Sequence, residues 1–236
     1  MNSYKTLATI YENLMKDCDY DKWSQYLLNC IKKYSNGNRG LDLACGSGKI
    51  TRFLAKNGYK MVGGDISEEM LIQAKNLSDK EKLNVNYFKA DLCNLKLYGK
   101  FNFITIINDG INYVQQDKLL KTFTGLHKNL EKNGILLFDI SSKYKLEEII
   151  GNNLFGEDLE EVSYLWFNKL LEDRVEMDLS FFIKKGEYYQ KEEERHVQYI
   201  HTPQEIISVA EQVGFETILY DKEEKIERIN FIFRRK

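Results

Sequence analysis

A doubly wound α/β fold is predicted for this chain on three observations. The stretch Leu41-Asp42-Leu43-Ala44-Cys45-Gly46-Ser47-Gly48-Lys49-Ile50-Thr51 reads as a buried strand running into a glycine turn that opens a helix. Apolar strands then alternate with amphipathic helices as far as Asp139, the pattern of a parallel sheet with right-handed crossovers and helices on both faces. Residues 215–220 and 227–234 close the chain as two strands joined only by Asp221-Lys222-Glu223-Glu224-Lys225. That join is too short for a helical crossover, so the last strand is expected to run antiparallel to its neighbour.

Taken in order, residues 3–16 carry Leu7, Ile10, Tyr11, Leu14 and Met15 at helical spacing, and Trp23, Leu27, Cys30 and Ile31 mark one face of a second helix. Both helices are read first as packing elements, because an apolar stripe ordinarily marks a buried face; the alternative is a flap over the glycine turn. Residues 39–44 form the first strand and 49–57 its helix, ended by Gly58. Residues 60–65 form the second strand. Ser67 caps a helix that opens on Glu68-Glu69, acids suited to the positive end of the helix dipole, and that buries Met70, Leu71, Ala74 and Leu77. A third strand, 85–88, leads into Ala90-Asp91-Leu92. Residues 101–107 are nearly all apolar, as a central parallel strand covered on both faces should be. Leu119, Phe123, Leu126 and Leu130 stripe a long helix that ends near Gly134, and 135–139 is the fifth strand.

After about residue 150 the rhythm changes. Residues 151–161 are polar and glycine-bearing and are expected to form a loop. Residues 162–168, 174–184 and 188–201 read as extended, with Lys185-Gly186 as a hairpin turn. This antiparallel insertion is too small for an independent core and is expected to pack over the main sheet. The α/β pattern resumes at Thr202-Pro203-Gln204-Glu205, where Thr caps a helix, Pro takes its first position and Glu closes the capping box.

Composition narrows the class. A chain of 236 residues that is 43% hydrophobic can bury one large core, and global disorder is excluded. Lys plus Arg number 34 against 36 Asp plus Glu, so no basic excess advertises nucleic acid. No apolar run is long enough to span a bilayer, and the start lacks a basic region followed by an apolar one, so the expected location is cytoplasmic, without a membrane partner. Cys18, Cys30, Cys45 and Cys93 are scattered, as free thiols of a reducing compartment rather than a disulfide frame or a zinc site.

The turn at Gly46 and Gly48 identifies a nucleotide cradle, and the acids around it narrow the nucleotide. A dinucleotide fingerprint wants G-x-G-x-x-G, and Thr51 stands where the third glycine should be. Asp65, at the end of the second strand, suits two adjacent ribose hydroxyls, because a carboxylate accepts both hydrogen bonds. Asp42, just before the turn, suits an ammonium group and would repel a pyrophosphate. The ligand implied carries a ribose and a cationic amino acid end.

These residues resemble the class I S-adenosylmethionine-dependent methyltransferases. LDLACGSGKIT resembles their first motif, with Ala44 where many members have glycine; Gly64-Asp65-Ile66-Ser67-Glu68-Glu69-Met70-Leu71 resembles the acidic-loop motif, and Ala90-Asp91-Leu92 the adenine motif. Ile106-Ile107-Asn108-Asp109 takes the place of the motif after the fourth strand that faces the reacting methyl, and Asn133-Gly134-Ile135-Leu136-Leu137-Phe138-Asp139 is similar to the segment at the fifth strand. The resemblance covers nearly the whole chain outside the insertion. It implies a Rossmann-like doubly wound seven-stranded sheet with the last strand antiparallel, preceded by helices and carrying a small antiparallel β insertion after strand five. It implies S-adenosylmethionine as cofactor and S-adenosylhomocysteine as product, with Tyr11, Trp23, Asp42, Ala44, Gly46, Gly48, Asp65, Ile66, Met70, Asp91, Leu92 and Asn108 around it. Asp65 would hold the ribose, Asp91 would accept the adenine amine, and Leu92 would donate a backbone N–H.

The leading helices and the insertion resemble the small-molecule N-methyltransferase branch, with glycine and amino-sugar methyltransferases as examples. Residues 1–35 would then be a flap, 36–150 and 202–236 the cofactor-binding core, and 151–201 a cover over the methyl acceptor. The expected acceptor is a small-molecule amine or hydroxyl, and the protein a monomer or homodimer. Near the methyl stand Asn108, Asp109, Asn112 and Tyr113. Tyr113 is the candidate to orient an amine or to share in removing its proton. Of the histidines on the insertion, His201 is preferred over His196 as a catalytic group, and Arg195 is a further candidate on the acceptor side. Asp109 and Asp139 are the acids that could converge in a catechol-type magnesium site, although no metal is expected. A nucleobase methyltransferase is disfavoured: the loop Asn108-Asp109-Gly110-Ile111 lacks the prolines of the exocyclic-amine enzymes, and the single proline, Pro203, is not followed by the cysteine of the cytosine C5 enzymes. A tRNA or peptide methyltransferase, a NAD-dependent oxidoreductase and a non-catalytic nucleotide-binding module are the competing readings.

Overall fold

The computed structural model describes residues 20–96, 99–222 and 225–236. The expected helix over 3–16, with Tyr11, lies outside the described residues. The chain runs α1 (Tyr20–Tyr34), β1 (Arg39–Leu43), α2 (Lys49–Lys56), β2 (Lys60–Asp65), α3 (Glu68–Lys80), β3 (Asn86–Lys89), β4 (Phe101–Ile106), α4 (Leu119–Asn129) and β5 (Leu130–Ser141). There follow β6 (Leu154–Asp158), β7 (Val162–Leu170), β8 (Arg174–Lys185), β9 (Tyr188–Tyr199), α5 (Pro203–Gln212), β10 (Phe215–Tyr220) and β11 (Arg228–Arg235).

Seven strands form one sheet in the order β10-β11-β5-β4-β1-β2-β3, with β11 antiparallel to both β10 and β5. The strand order reverses between β1 and β4, which makes the crevice beyond their carboxyl ends the place where such a sheet binds a ligand. Alternate residues of the central strands face opposite layers. Leu41, Leu43, Ile104, Ile106, Leu136 and Phe138 point to the side covered by α4 and α5, while Phe103, Ile135, Leu137 and Ile232 meet α1 and α2. In α1, Leu27, Leu28 and Ile31 are buried in that second layer, so residues 20–34 pack as a core helix. Burial of this face is what the packing reading of the segment expects. No helix among the described residues is long and apolar enough to cross a membrane.

The insertion is a four-stranded antiparallel sheet, β6-β7-β8-β9. Residues 154–158, expected as loop, form its edge strand, because Leu154 and Phe155 pair with Phe167 and Trp166 of β7. The polar composition of that stretch concealed a pairing supplied wholly by its neighbour. A second boundary also moved. Leu130, expected as the last residue of the helical stripe, instead begins β5 and pairs with Phe101, while Ile135 pairs with Phe103; the residues between bulge out, with Asn133 left-handed at φ 62°. Leu130 is buried in either conformation, so its apolar spacing could not separate the two. The expected capping box is present: Thr202 Oγ1 accepts from the Glu205 N–H at 3.3 Å, and the Glu205 carboxylate accepts from the Thr202 N–H at 2.8 Å. Thr202→Ala should lower stability by about 1 kcal/mol in chemical denaturation, without altering the fold seen by circular dichroism.

Candidate active site

The chain leaves β1 through backbone that only small residues tolerate. Ala44, Gly46 and Gly48 all have positive φ, at 52°, 53° and 75°. At Gly48 a Cβ would come within 2.6 Å of the Tyr87 hydroxyl, so glycine is required there on both counts. At Gly46 a Cβ would meet nothing within 4 Å among the described residues, so with respect to them this side of the turn is open. Asp65 secures the turn from the next strand. Its Oδ2 accepts from the Gly46 N–H at 2.8 Å, and its Oδ1 accepts from the Ser67 N–H at 2.9 Å. Each oxygen retains a lone pair for a further donor. Burial pushes the Asp65 carboxyl up, and the backbone N–H groups partly oppose that.

Asp42 behaves differently from its expectation. It is buried beneath the turn, where Thr51 of α2 donates to Oδ2 at 2.5 Å and Thr105 of β4 donates to Oδ1 at 2.7 Å. It therefore braces β1, α2 and β4 instead of presenting an open carboxylate to an ammonium group. Burial pushes its pKa up to about 6, against the two hydroxyl bonds that favour the ionised form. At neutral pH it is a fixed negative charge under the cradle. Thr51, noted in the sequence only for not being glycine, is the residue that holds it.

Around the rim, Ile66 is 54% exposed immediately after the buried Asp65, an aliphatic face left bare beside a ribose-sized acid. Asp91 is exposed, and its Oδ1 accepts from the Cys93 N–H at 2.8 Å, which fixes the short helical turn begun by Leu92. Met70 is buried in the first turn of α3, with its N–H on the Ser67 cap. It lies five residues after Asp65, on the apolar face of that helix.

The opposite lip follows β4. Asn108 and Asp109 are consecutive left-handed residues, at φ 68° and 65°. Asp139, fully buried at the end of β5, accepts from the Asn108 N–H at 2.7 Å and the Asp109 N–H at 3.1 Å. Arg228, the first residue of β11, pairs with both Asp139 and Asp109 and donates to Asn108 Oδ1 at 3.1 Å. The two acids imagined around magnesium do converge, and the cation between them is this guanidinium. Burial pushes Asp139 up to about 6 in spite of Arg228, which opposes it. Trp23 of α1 lies over the guanidinium at 5.5 Å. Arg228, Asp139 in this role and Gln198 were not found from the sequence; an arginine opening a C-terminal strand carries no local signal of where that strand will dock.

Along β9, Glu194, His196 and Gln198 share the buried face. Gln198 Nε2 reaches Asp109 Oδ2 at 3.4 Å, His196 Nε2 lies 3.2 Å from Glu194 Oε2, and the rings of His196 and Tyr113 meet edge-on at 6.1 Å. A row of polar side chains thus leads outward from the left-handed lip past Tyr113. The structure corrects the choice between the histidines. His201 is fully buried, with Nδ1 2.8 Å from Gln116 Oε1 and Nε2 3.0 Å from the Val114 carbonyl, so both ring nitrogens serve to hold the connection to α4. Burial pushes its pKa down. Asn112 is likewise spent on structure, donating to the Tyr199 carbonyl at 3.0 Å and accepting from the Ser141 N–H at 2.9 Å. Arg195 faces the other side of β9, where it pairs with Glu176 at 2.6 Å.

Known proteins fit this geometry. A family model described as a methyltransferase domain matches residues 41–134. A protein of Geobacillus sp. (strain WCH70) that carries the provisional name of methyltransferase is 31% identical over 83% of this chain and 82% of its own. The crystal structure of an S-adenosylmethionine-dependent methyltransferase from Clostridium acetobutylicum ATCC 824 superposes with a TM-score of 0.90 at 32% identity, covering 99% of each chain. The amino pentose methyltransferase CalS10 from Micromonospora echinaspora, solved with S-adenosylmethionine, has a TM-score of 0.79 over 96% of this chain and 97% of its own; at 15% identity it shows the shared fold.

The elevated pKa of Asp42 has a measurable consequence. A carboxyl raised from 3.8 to about 6 on folding contributes stability that is complete below pH 4 and is lost as the pH rises through 6. Asp42→Asn removes that loss. Its stability relative to the parent should therefore improve between pH 4 and pH 7, by up to about 3 kcal/mol, in denaturant titrations across that range. A constant difference would show that Asp42 does not titrate there.

Proposed function

The chain belongs to the S-adenosylmethionine-dependent methyltransferases, and on that premise we propose that it methylates the amine of a small-molecule acceptor held between the lip at Asn108 and the insertion. The observation that carries this reading is the buried Glu194–His196 pair on β9, beside Tyr113. A carboxylate out of water attracts an ammonium group more strongly than an alcohol, and the neighbouring imidazole and phenol offer a route for the proton an amine must lose before it attacks. That an amino pentose methyltransferase has the same fold supports an amine as the class of acceptor.

The cofactor, when bound, supplies a methyl group on a sulfonium whose positive charge already activates it for in-line displacement. The residues present fit it. Asp65 has lone pairs remaining for the ribose hydroxyls, the side of the turn at Gly46 is open with respect to the described residues, and Ile66 offers an apolar face for the adenine. Asp91 would accept the adenine amine through the oxygen not engaged by Cys93, and the Leu92 N–H would complete that edge. Ala44 and Gly48 keep the backbone close to the amino acid end, and Asp42 sets a negative potential below it. The remaining tasks are alignment and exclusion of water. Asn108 would face the methyl, Glu194 would take the ammonium form of the acceptor, and Tyr113 with His196 would orient the amine and relay its proton. Residues 151–201 act in this reading as the roof of the acceptor site over the core formed by 36–150 and 202–236. The lysine-lined hollow of Lys96, Lys100, Lys121 and Lys128 is remote from this site, at the amino ends of the central strands, so it offers no basic wall to the acceptor.

Transfer of tritiated methyl from S-adenosylmethionine to a panel of small primary and secondary amines, with matched alcohols, tests the proposal. Methylation of amines and not of alcohols is expected, and exclusive methylation of hydroxyls would refute it. Glu194→Gln should raise KM for the amine about tenfold while leaving cofactor affinity within twofold. Asp65→Ala should weaken cofactor binding about 100-fold by calorimetry, because it removes charge-assisted bonds to both ribose hydroxyls.

A further inference from the structure

We propose that Arg228 is the positioning residue of the methyl-facing loop: its guanidinium holds Asn108 and Asp109 in their left-handed conformation and joins that loop, which Asp109 ties to the insertion, to α1. Two consecutive non-glycine residues at φ 68° and 65° do not stay so by themselves; such backbone persists only where its surroundings over-determine it. The loop has no slack on its cofactor side. A Cβ at Gly110 would stand 2.7 Å from Ile106 Cγ2 and 3.1 Å from Ala44 Cβ, so Gly110 packs directly against the glycine turn. A shift at Asn108 or Asp109 is therefore felt at the crevice.

Asp139 fastens the two N–H groups of the loop, but it cannot do so alone. It is fully buried, and Asp109 brings a second carboxylate against it. Without a cation between them, one would have to take up a proton or the loop would have to part from β5. Arg228 supplies that cation, and its fork also reaches Asn108 Oδ1 at 3.1 Å. A planar guanidinium holds five donors in a rigid fork and so fixes the directions of all three acceptors, where the rotating donors of a compact ammonium do not. Its outer face is covered by Trp23, and Asp109 is tied in turn to Gln198 of β9. Elements from the start, middle and end of the chain thus meet on one side chain. A corollary concerns Asp109. With its carboxylate bound to Arg228 it is a strut and not a base, so the loop orients the reacting groups while proton removal falls to the row on β9.

The inference rests on the cofactor's lying between the glycine turn and this loop, and the test separates the two. Binding of S-adenosylhomocysteine and of sinefungin, which carries an amine where the methyl group would be, is measured by calorimetry for the parent, Arg228→Met and Arg228→Lys. Fluorescence of Trp23 is followed in a Trp166→Phe background. Both variants should bind S-adenosylhomocysteine within threefold of the parent, since Asp65 and the turn are untouched. The preference for sinefungin over S-adenosylhomocysteine should fall about tenfold in Arg228→Met and about threefold in Arg228→Lys. Trp23 emission should shift to the red in Arg228→Met as the stacked cation is lost. If Arg228→Met fails to fold, Arg228→Lys, which keeps a cation between the carboxylates, still decides the matter. An unchanged preference in a folded variant overturns the inference, and a parent that binds neither compound overturns the cofactor placement beneath it.

Discussion

Left-handed backbone at the carboxyl edge of the sheet has to be fastened, and in this protein buried aspartates fasten it. Each lip of the crevice is built the same way. Asp65 at the end of β2 accepts the N–H of Gly46 in the turn that follows β1, and Asp139 at the end of β5 accepts the N–H groups of the turn that follows β4. In both cases the acid stands one strand away from the turn it holds. The geometry of the site is thereby made to depend on strand order. A carboxylate can do this where an amide cannot, because it accepts from two donors and still has lone pairs to offer.

Burying these charges has a cost, seen in the raised pKa values of Asp42, Asp65 and Asp139. The fold meets it differently at each acid. Asp42 is satisfied by two threonine hydroxyls, Asp65 by backbone, and Asp139 by backbone and a guanidinium. The first two keep the glycine lip negative, which suits a cationic ligand. The third shares one guanidinium with Asp109, so the opposite lip gains rigidity with part of its negative charge offset. That division suits a cationic sulfonium cofactor: one side draws in positive charge and the other is held rigid.

Much of this was legible in the residues. Gly46, Gly48 and Asp65 announce the cradle because their chemistry is local: positive φ, close approach and a carboxylate at a strand end follow from residue type and neighbours along the chain. The antiparallel last strand followed from a join too short to cross over. What misled were residues whose type fits two roles. His201 lies near the site yet spends both ring nitrogens on the chain around it, and Leu130 satisfies a helix and a strand equally. Residues 154–158 look like loop because the partner that makes them a strand lies elsewhere in the sequence.

The sequence by itself determined the sheet, its topology and the identity of the cofactor, since these rest on periodicity and on short motifs. Only the tertiary structure decided what gathers at the lip after β4. Arg228 is 120 residues from Asn108, and Gln198 is 89 from Asp109. Trp23 reaches the same cluster from the first described helix. No local pattern encodes such meetings, because they are set by how β11, β9 and α1 dock against the carboxyl ends of β4 and β5. Docking of that kind follows from burial summed over whole faces rather than from any one residue.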